Sequence, residues 1–144
     1  MPFAIRAATP ADIPLMHAIR CAVRENRLSD PSLVTEASYR RYVEAGSIWV
    51  AVDGAGTALG FAALDLAGGS VWALFVDPGR EGSGVGRALH DFMIDRASEA
   101  GLARLWLTTA TGTRAEQFYL AAGWCRAGAA SAIEVRFERD TAAE

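Results

Sequence analysis

Three glycines at alternate positions, Gly82, Gly84 and Gly86, stand in the stretch "GREGSGVGRALHDFM" (79–93), directly after the apolar run "VWALFV" and the pair Asp77-Pro78. Beyond them Val85, Ala88, Leu89, Phe92, Met93, Ala97 and Ala100 step at three and four, the spacing of a helix with one apolar face. A helix that starts in glycines presents unpaired backbone N–H groups and the positive end of its dipole, a combination suited to a phosphate. Glycine is required there because a side chain would hold the backbone away from the ligand and resist positive φ. Two familiar phosphate loops do not fit. A P-loop ends in Gly-Lys-Ser/Thr, whereas Gly86 is followed by Arg87-Ala88. A dinucleotide fingerprint runs G-x-G-x-x-G at the start of a βαβ unit, whereas these glycines run G-x-G-x-G in the middle of the chain.

The elements that must position this loop can be read along the chain. "FAIRAA" (3–8) suits a first strand, and Thr9-Pro10-Ala11-Asp12 reads as a helix start, with a hydroxyl cap, proline at the first helical position and an acid at the third. The helix is expected to run to about Arg24, burying Ile13, Met16, Ile19 and Val23. "RENRLSDPS" is a loop, and Thr35 caps a second helix whose Tyr39, Tyr42 and Val43 share a face. A hairpin follows: "SIWVAV", the turn Asp53-Gly54-Ala55-Gly56, and "ALGFAALDL". "VWALFV" is apolar without alternation, as expected of a central strand covered on both sides. The long helix from Val85 ends near Gly101, "ARLWLTT" is the next strand, and Thr113 with Glu116 makes a capping box for a helix through Ala121. "GWCRAG" and "AIEVRFE" read as closing strands. This order predicts a mixed α/β (α+β) fold, a largely antiparallel sheet of six to seven strands with about four helices on its faces.

At 144 residues the chain is expected to form a single domain over 1–139, with 140–144 as a loose tail. No apolar stretch reaches the ~18 residues that cross a bilayer, and the N-terminus lacks a signal pattern, so a soluble cytoplasmic protein without a membrane partner is expected. Cys21 and Cys125 lack metal-ligand spacing and read as reduced thiols, with no metal site. A net charge of −3 and the lack of a basic run argue against a nucleic-acid partner. His17 and His90 fall within helices and read as partly exposed structural histidines, while Trp49, Trp72, Trp106 and Trp124 fall on predicted strands as core or sheet-face residues.

The stretch "LFVDPGREGSGVGRAL" resembles the signature of the GNAT superfamily of acyl-CoA-dependent N-acyltransferases: a strand, then Gln/Arg-x-x-Gly-x-Gly/Ala, then a helix. Gly84 and Gly86 take the two small-residue positions, and Glu81 stands where the signature has Gln or Arg. Near the end, "TGTRAEQFYLAAGW" is similar to the family's A-x-x-x-Tyr-x-x-x-Gly-aromatic pattern through Ala115, Tyr119, Gly123 and Trp124. The order of elements agrees over nearly all of residues 3–138. The resemblance implies a V-shaped cleft where "VWALFV" and "LWLTT" part, with acetyl-CoA as cosubstrate. Backbone amides of Glu81, Gly82, Ser83, Gly84, Val85, Gly86 and Arg87 would hold its pyrophosphate, and the main chain of Phe75 and Val76 would meet its pantetheine and thioester. A carboxylate at Glu81 calls for a compensating cation, for which Arg80 and Arg87 are at hand. Gly112 stands where the family often has Asn, and Thr108, Thr109 or Thr111 could supply a hydroxyl instead.

By motif position Tyr119 would be the catalytic acid: a phenol can protonate the thiolate that leaves when an amine attacks a thioester. An alkylammonium must first lose a proton, and Glu25 and Asp65 are the candidate carboxylates by location. Trp72 could line the acceptor cleft. The expected partner is a small-molecule or peptide amine acceptor. Members of the family often dimerise through sheet edges or last strands, and "AIEVRFE" could serve for a homodimer. The alternative to an N-acetyltransferase is a non-catalytic acyl-CoA-binding sensor, and a third reading is an ATP or NAD domain.

Overall fold

The computed structural model describes residues 3–23, 35–80 and 82–141. Seven strands form one sheet: β1 (Phe3–Ala7), β2 (Ile48–Asp53), β3 (Ala58–Asp65), β4 (Ser70–Val76), β5 (Arg104–Ala110), β6 (Cys125–Ala129) and β7 (Glu134–Asp140). Their order is β1-β2-β3-β4-β5-β7-β6, and every pairing is antiparallel except β4 with β5. Among the described residues four α-helices complete the fold: α1 (Ile13–Ala22), α2 (Glu36–Ala45), α3 (Val85–Glu99) and α4 (Arg114–Ala121). The mixed architecture is the one expected from the sequence.

The two faces of the sheet carry separate cores. Ile13, Met16 and Ile19 of α1 and Tyr39 and Tyr42 of α2 close on Val50, Phe61, Ala63 and Ala73. Leu89, Met93 and Ala97 of α3, with Tyr119 of α4, close on Ala51, Leu59, Ala62, Leu105 and Phe137. Each such large apolar side chain contributes about 1.5–3 kcal/mol when fully buried. The entry to α1 is built as expected from its cap: Thr9 N–H donates to Asp12 Oδ2 at 2.8 Å, and Arg6 donates to the same carboxylate. The Arg6 guanidinium and the Thr9 amide hold the Asp12 carboxyl below the usual carboxylate range.

Several expectations are corrected. The first helix stops at Ala22, and Val23 is extended; Arg24 lies outside the described residues. β4 is only half-buried at six of its seven positions, because β5 diverges from it instead of covering that edge. "AIEVRFE" is no free edge, since β7 pairs with β5 on one side and β6 on the other; the outer edge is β6, exposed along its whole length. Asp140, placed in the tail, ends β7 and meets Arg104 at 2.9 Å, and Thr141 is buried with its hydroxyl on the Leu102 carbonyl. Trp124 lies just before β6 and is buried instead of standing on a strand.

His90 is fully buried, not partly exposed as expected. The Trp124 indole N–H donates to its Nε2 at 2.9 Å, so Nε2 is the acceptor and the proton sits on Nδ1, which donates to Asp91 at 2.9 Å. Burial pushes the His90 pKa down, against the pull of Asp91. The unfolded chain therefore binds a proton on this residue that the folded chain refuses, and stability falls as pH drops below the unfolded value of about 6.5. We expect the melting temperature to decline from pH 7 towards pH 5, and His90→Gln to flatten that decline; an unchanged slope in the variant would refute the assignment.

Candidate functional site

β4 and β5 meet at one register pair, Ser70 opposite Trp106, where the Trp106 N–H donates to the Gly69 carbonyl at 3.0 Å. Beyond that pair the strands part, and a cavity of about 710 Å³ opens between them. Its walls come from the end of α1, all of β4, the glycine loop, β5 from Trp106 to Ala110, and α4. Segments far apart in sequence thus converge on one space.

Three of the loop glycines, Gly82, Gly84 and Gly86, border the cavity, with Arg87, Phe75 and Val76. Gly84 is the N-cap of α3 at φ +87°, and a Cβ built there would project into open space, with nothing within 4 Å. The first backbone bond of the helix runs from the Ala88 N–H to the Gly84 carbonyl at 3.0 Å. The amides of Val85, Gly86 and Arg87 precede it and have no acceptor within the helix. Gly86 serves packing as well: a Cβ there would lie 3.3 Å from Val76 Cγ2 and 3.7 Å from Phe118. Ser83 and Val85 do not border the cavity; the Ser83 hydroxyl donates to the Arg80 carbonyl, and the Val85 side chain is in the core. Glu81 lies outside the described residues. Of its expected compensators, Arg87 pairs with Asp91 at 3.2 Å and Arg80 approaches Asp53 at 3.9 Å, while both also border the cavity.

Tyr119 reaches the cavity from α4 with only 7 % of its surface exposed, ringed by Phe118, Trp124 and Phe137. Its hydroxyl makes no hydrogen bond among the described residues, and burial pushes its pKa well above that of a free phenol. The helix that carries it is held at its start by Thr113 Oγ1, which accepts from the Glu116 N–H. The Glu116 carboxylate reaches back one residue further than a capping box requires, to the Gly112 N–H at 2.7 Å, and also meets Arg126 at 3.2 Å. Thr108 and Thr109 border the cavity, whereas Thr111 and Gly112 do not.

Trp72 borders the cavity, and a bulge in β4 sets the face that its ring joins. The register passes from Ala63 opposite Ala73 to Leu64 opposite Val71, leaving Trp72 as the extra residue of β4. Its ring therefore joins the same face as Ala73, stacked on Tyr42 at 4.5 Å, instead of alternating to the α3 side.

Asp65 is withdrawn as a candidate base: its carboxylate caps the β3–β4 turn by accepting from the amides of Ala67 and Gly68, and it does not border the cavity. Glu25 lies outside the described residues. Three charged residues that sequence reasoning missed do border the cavity, Arg20 from α1, Arg114 from the start of α4 and Glu134 from the start of β7. Arg20 carried a signal, since it follows Ile13 by seven residues and Met16 by four on the stripe that otherwise faces the core. Glu134 carried none, because only the β5–β7 pairing brings it opposite Ala110.

The model of the acetyltransferase (GNAT) family matches residues 14–124, most of the chain. The chain belongs to the GNAT acetyltransferase family. Its cosubstrate is acetyl-CoA, as the family's chemistry requires. No curated protein matches the sequence. Among solved structures, this GNAT chain is similar to Ard1 from Thermoplasma volcanium, at 20 % identity and a TM-score of 0.82 over 99 % of this chain and 100 % of that one. It is also similar to the PaiA N-acetyltransferase of Thermoplasma acidophilum, solved with coenzyme A, at 13 % identity and a TM-score of 0.79 over 97 % and 99 %. A third neighbour is the ribosomal-protein-S18-alanine N-acetyltransferase of Escherichia coli, at 18 % identity and 0.78 over 99 % and 96 %. At these identities the likeness is one of fold. Among the described residues no helix is long and apolar enough to cross a membrane.

Proposed function

We propose that this GNAT protein transfers the acetyl group of acetyl-CoA to a primary amine by direct attack in a ternary complex, with Tyr119 as the proton donor. The observation that carries the reading is the single cavity, on which the glycine loop, the main-chain edge of β4 and the Tyr119 ring converge from three separate segments. The three free amides at the start of α3, with open space over Gly82 and Gly84, suit a pyrophosphate. The edge of β4 left by β5 offers the main-chain groups of Val76 to an amide-bearing chain such as pantetheine, whereas those of Phe75, expected to share that role, turn towards β3 opposite Phe61.

In the reaction the amine nitrogen bonds to the acetyl carbon, the carbon–sulfur bond breaks and the sulfur leaves with its electron pair. Tyr119 supplies the proton that the sulfur takes up, and the proton that the nitrogen sheds on becoming an amide restores the phenol. Burial keeps the phenol protonated throughout the neutral range, so the donor form is always present. The same apolar wall destabilises a thiolate, which raises that group's basicity and helps the transfer. The attacking ammonium must give up a proton, and Glu134 is the one carboxylate that borders the cavity among the described residues.

Calorimetric titration with acetyl-CoA beside ATP and NAD tests the reading at its root. Saturable binding of acetyl-CoA alone, followed by thiol release with amines, is the expected result; failure to bind acetyl-CoA sinks it, and binding without turnover of any amine would favour the sensor. Glu134→Gln should lower kcat/KM about a hundredfold or more at neutral pH. That deficit should shrink towards pH 10, where the free amine no longer needs a base. A deficit independent of pH would remove Glu134 from the role.

A further inference from the structure

The cavity borders two faces of β4, and its charges are divided between them. Arg80, Arg87 and the glycine loop lie at the start of α3, the helix that covers one face. Arg20 comes from α1, which covers the other, and enters beside Trp72 and Phe75. Its guanidinium carbon lies 4.8 Å from the centre of the Trp72 ring and 4.9 Å from that of Phe75. Two aromatic rings thus hold the cation in position. The bulge in β4 puts the Trp72 ring in that place.

Arg20 is incompletely satisfied. Its Nη1 is buried without a hydrogen-bond partner, and the side chain makes no ion pair among the described residues. Cation–π contacts hold a guanidinium in position but do not replace the acceptors its N–H groups lose on leaving water. A cation with one buried N–H group left in this state is costly, and an anion with two coplanar oxygens would relieve the cost through the fork of the guanidinium. Phe75, whose ring Arg20 covers, directly precedes Val76, whose main chain on the open edge of β4 is assigned to the thioester end of acetyl-CoA. An anion held by Arg20 would therefore lie on the acceptor side, close to the acyl group and on the face opposite α3.

We infer that Arg20 is a carboxylate anchor and that the acceptor is a small amine bearing a carboxylate, an amino acid or a close analogue. The inference rests on the transferase reading and narrows its substrate class. Glu134, of opposite sign and on the same cavity, would receive the ammonium end. An acceptor carrying both charges meets both residues.

The test compares amino acids with their own α-carboxamides, which keep shape and amine but lose the anion. L-Glutamate, L-methionine and L-phenylalanine and their carboxamides are assayed for thiol release with acetyl-CoA. Each is also titrated calorimetrically into the protein with and without CoA. At least one carboxylate should be favoured over its carboxamide ten- to hundredfold, the range of one charge-assisted hydrogen-bonded contact. Arg20→Gln should collapse that ratio towards one through KM, and Arg20→Lys, which keeps charge but not the fork, should restore part of it. The inference is overturned if no carboxylate is preferred in turnover or in binding, or if Arg20→Gln weakens acetyl-CoA instead and leaves the ratio intact. If acetyl-CoA itself does not bind the wild type, the transferase reading falls. The anchor is then judged by the direct carboxylate titrations, where loss of the preference in Arg20→Gln supports it and no preference in the wild type ends it.

Discussion

Tyr119→Phe is expected to leave the melting temperature and the affinity for acetyl-CoA close to wild type and to lower kcat about a hundredfold or more, within the usual range for loss of one positioned acid. The hydroxyl makes no hydrogen bond among the described residues, so its removal leaves no buried partner orphaned. The ring keeps its contacts with Phe118, Trp124 and Phe137, so the core is not opened. What is removed is a proton at the place where a sulfur must leave. The effect should be largest with poor thiol leaving groups and smallest with activated thioesters whose thiolates need no proton. Because burial raises the Tyr119 pKa, the wild-type rate should not fall from ionisation of this phenol anywhere below about pH 10. Normal kcat in the variant, or a uniform loss that ignores the leaving group, would remove Tyr119 from the chemistry.

Gly60→Ala should cost far more than its size suggests. A Cβ on Gly60 would lie 2.7 Å from the Phe75 carbonyl oxygen, 3.0 Å from Leu89 Cδ1 and 3.3 Å from Val76 Cα. Leu89 can shift, but the other two atoms are main chain of β4, so relief requires the strand itself to move. Overpacking of this kind costs about 1–3 kcal/mol. For a chain of this length that is a fall of roughly 3–10 °C in melting temperature. The displaced segment is the one proposed to meet the thioester, so acetyl-CoA affinity should fall with stability. Thermal melts and titration of the same sample check both, and a variant that melts within a degree of wild type would show that β4 has slack the packing does not suggest. A surface alanine substitution provides the comparison, since such changes stay within about 0.5 kcal/mol.

Periodicity alone placed every helix and strand within a few residues, because helical spacing in α1 and α3 and turn chemistry at Asp53-Gly54 are local properties of the chain. The glycine loop was legible for the same reason. The parting of β4 from β5 was not written in any spacing; it entered through the resemblance, and "VWALFV" taken by itself pointed to full coverage. Pairing partners decided the remaining misses. "AIEVRFE" looked like an edge until β6 folded back along it. Asp65 looked free until the turn after it supplied two amides for its carboxylate. The Trp72 ring joins the α1 side through a register shift of one residue, which depends on β3 and β4 together. His90 sat at a helical position that looked partly exposed, and only the return of the chain at Trp124 buries it. Arg20 was the one miss with a visible clue, a charge on an apolar stripe.

The single register pair between β4 and β5 also bears on how the molecule comes apart. Backbone hydrogen bonding is continuous within β1–β4 and within β5–β7–β6, but among the described residues Ser70 and Trp106 provide the only ladder step between the two groups. The halves are otherwise held together by the Trp106 indole N–H on the Gly68 carbonyl and by the apolar core that α3 and α4 share with both, so side-chain packing, and not backbone bonding, resists their separation. A ligand lying along the gap would act as a splint, joining two ladders that the chain leaves nearly independent. Amide protons of Val71 to Val76 would then exchange in step with those of Leu107 to Ala110 when the gap is filled, and on separate clocks when it is not.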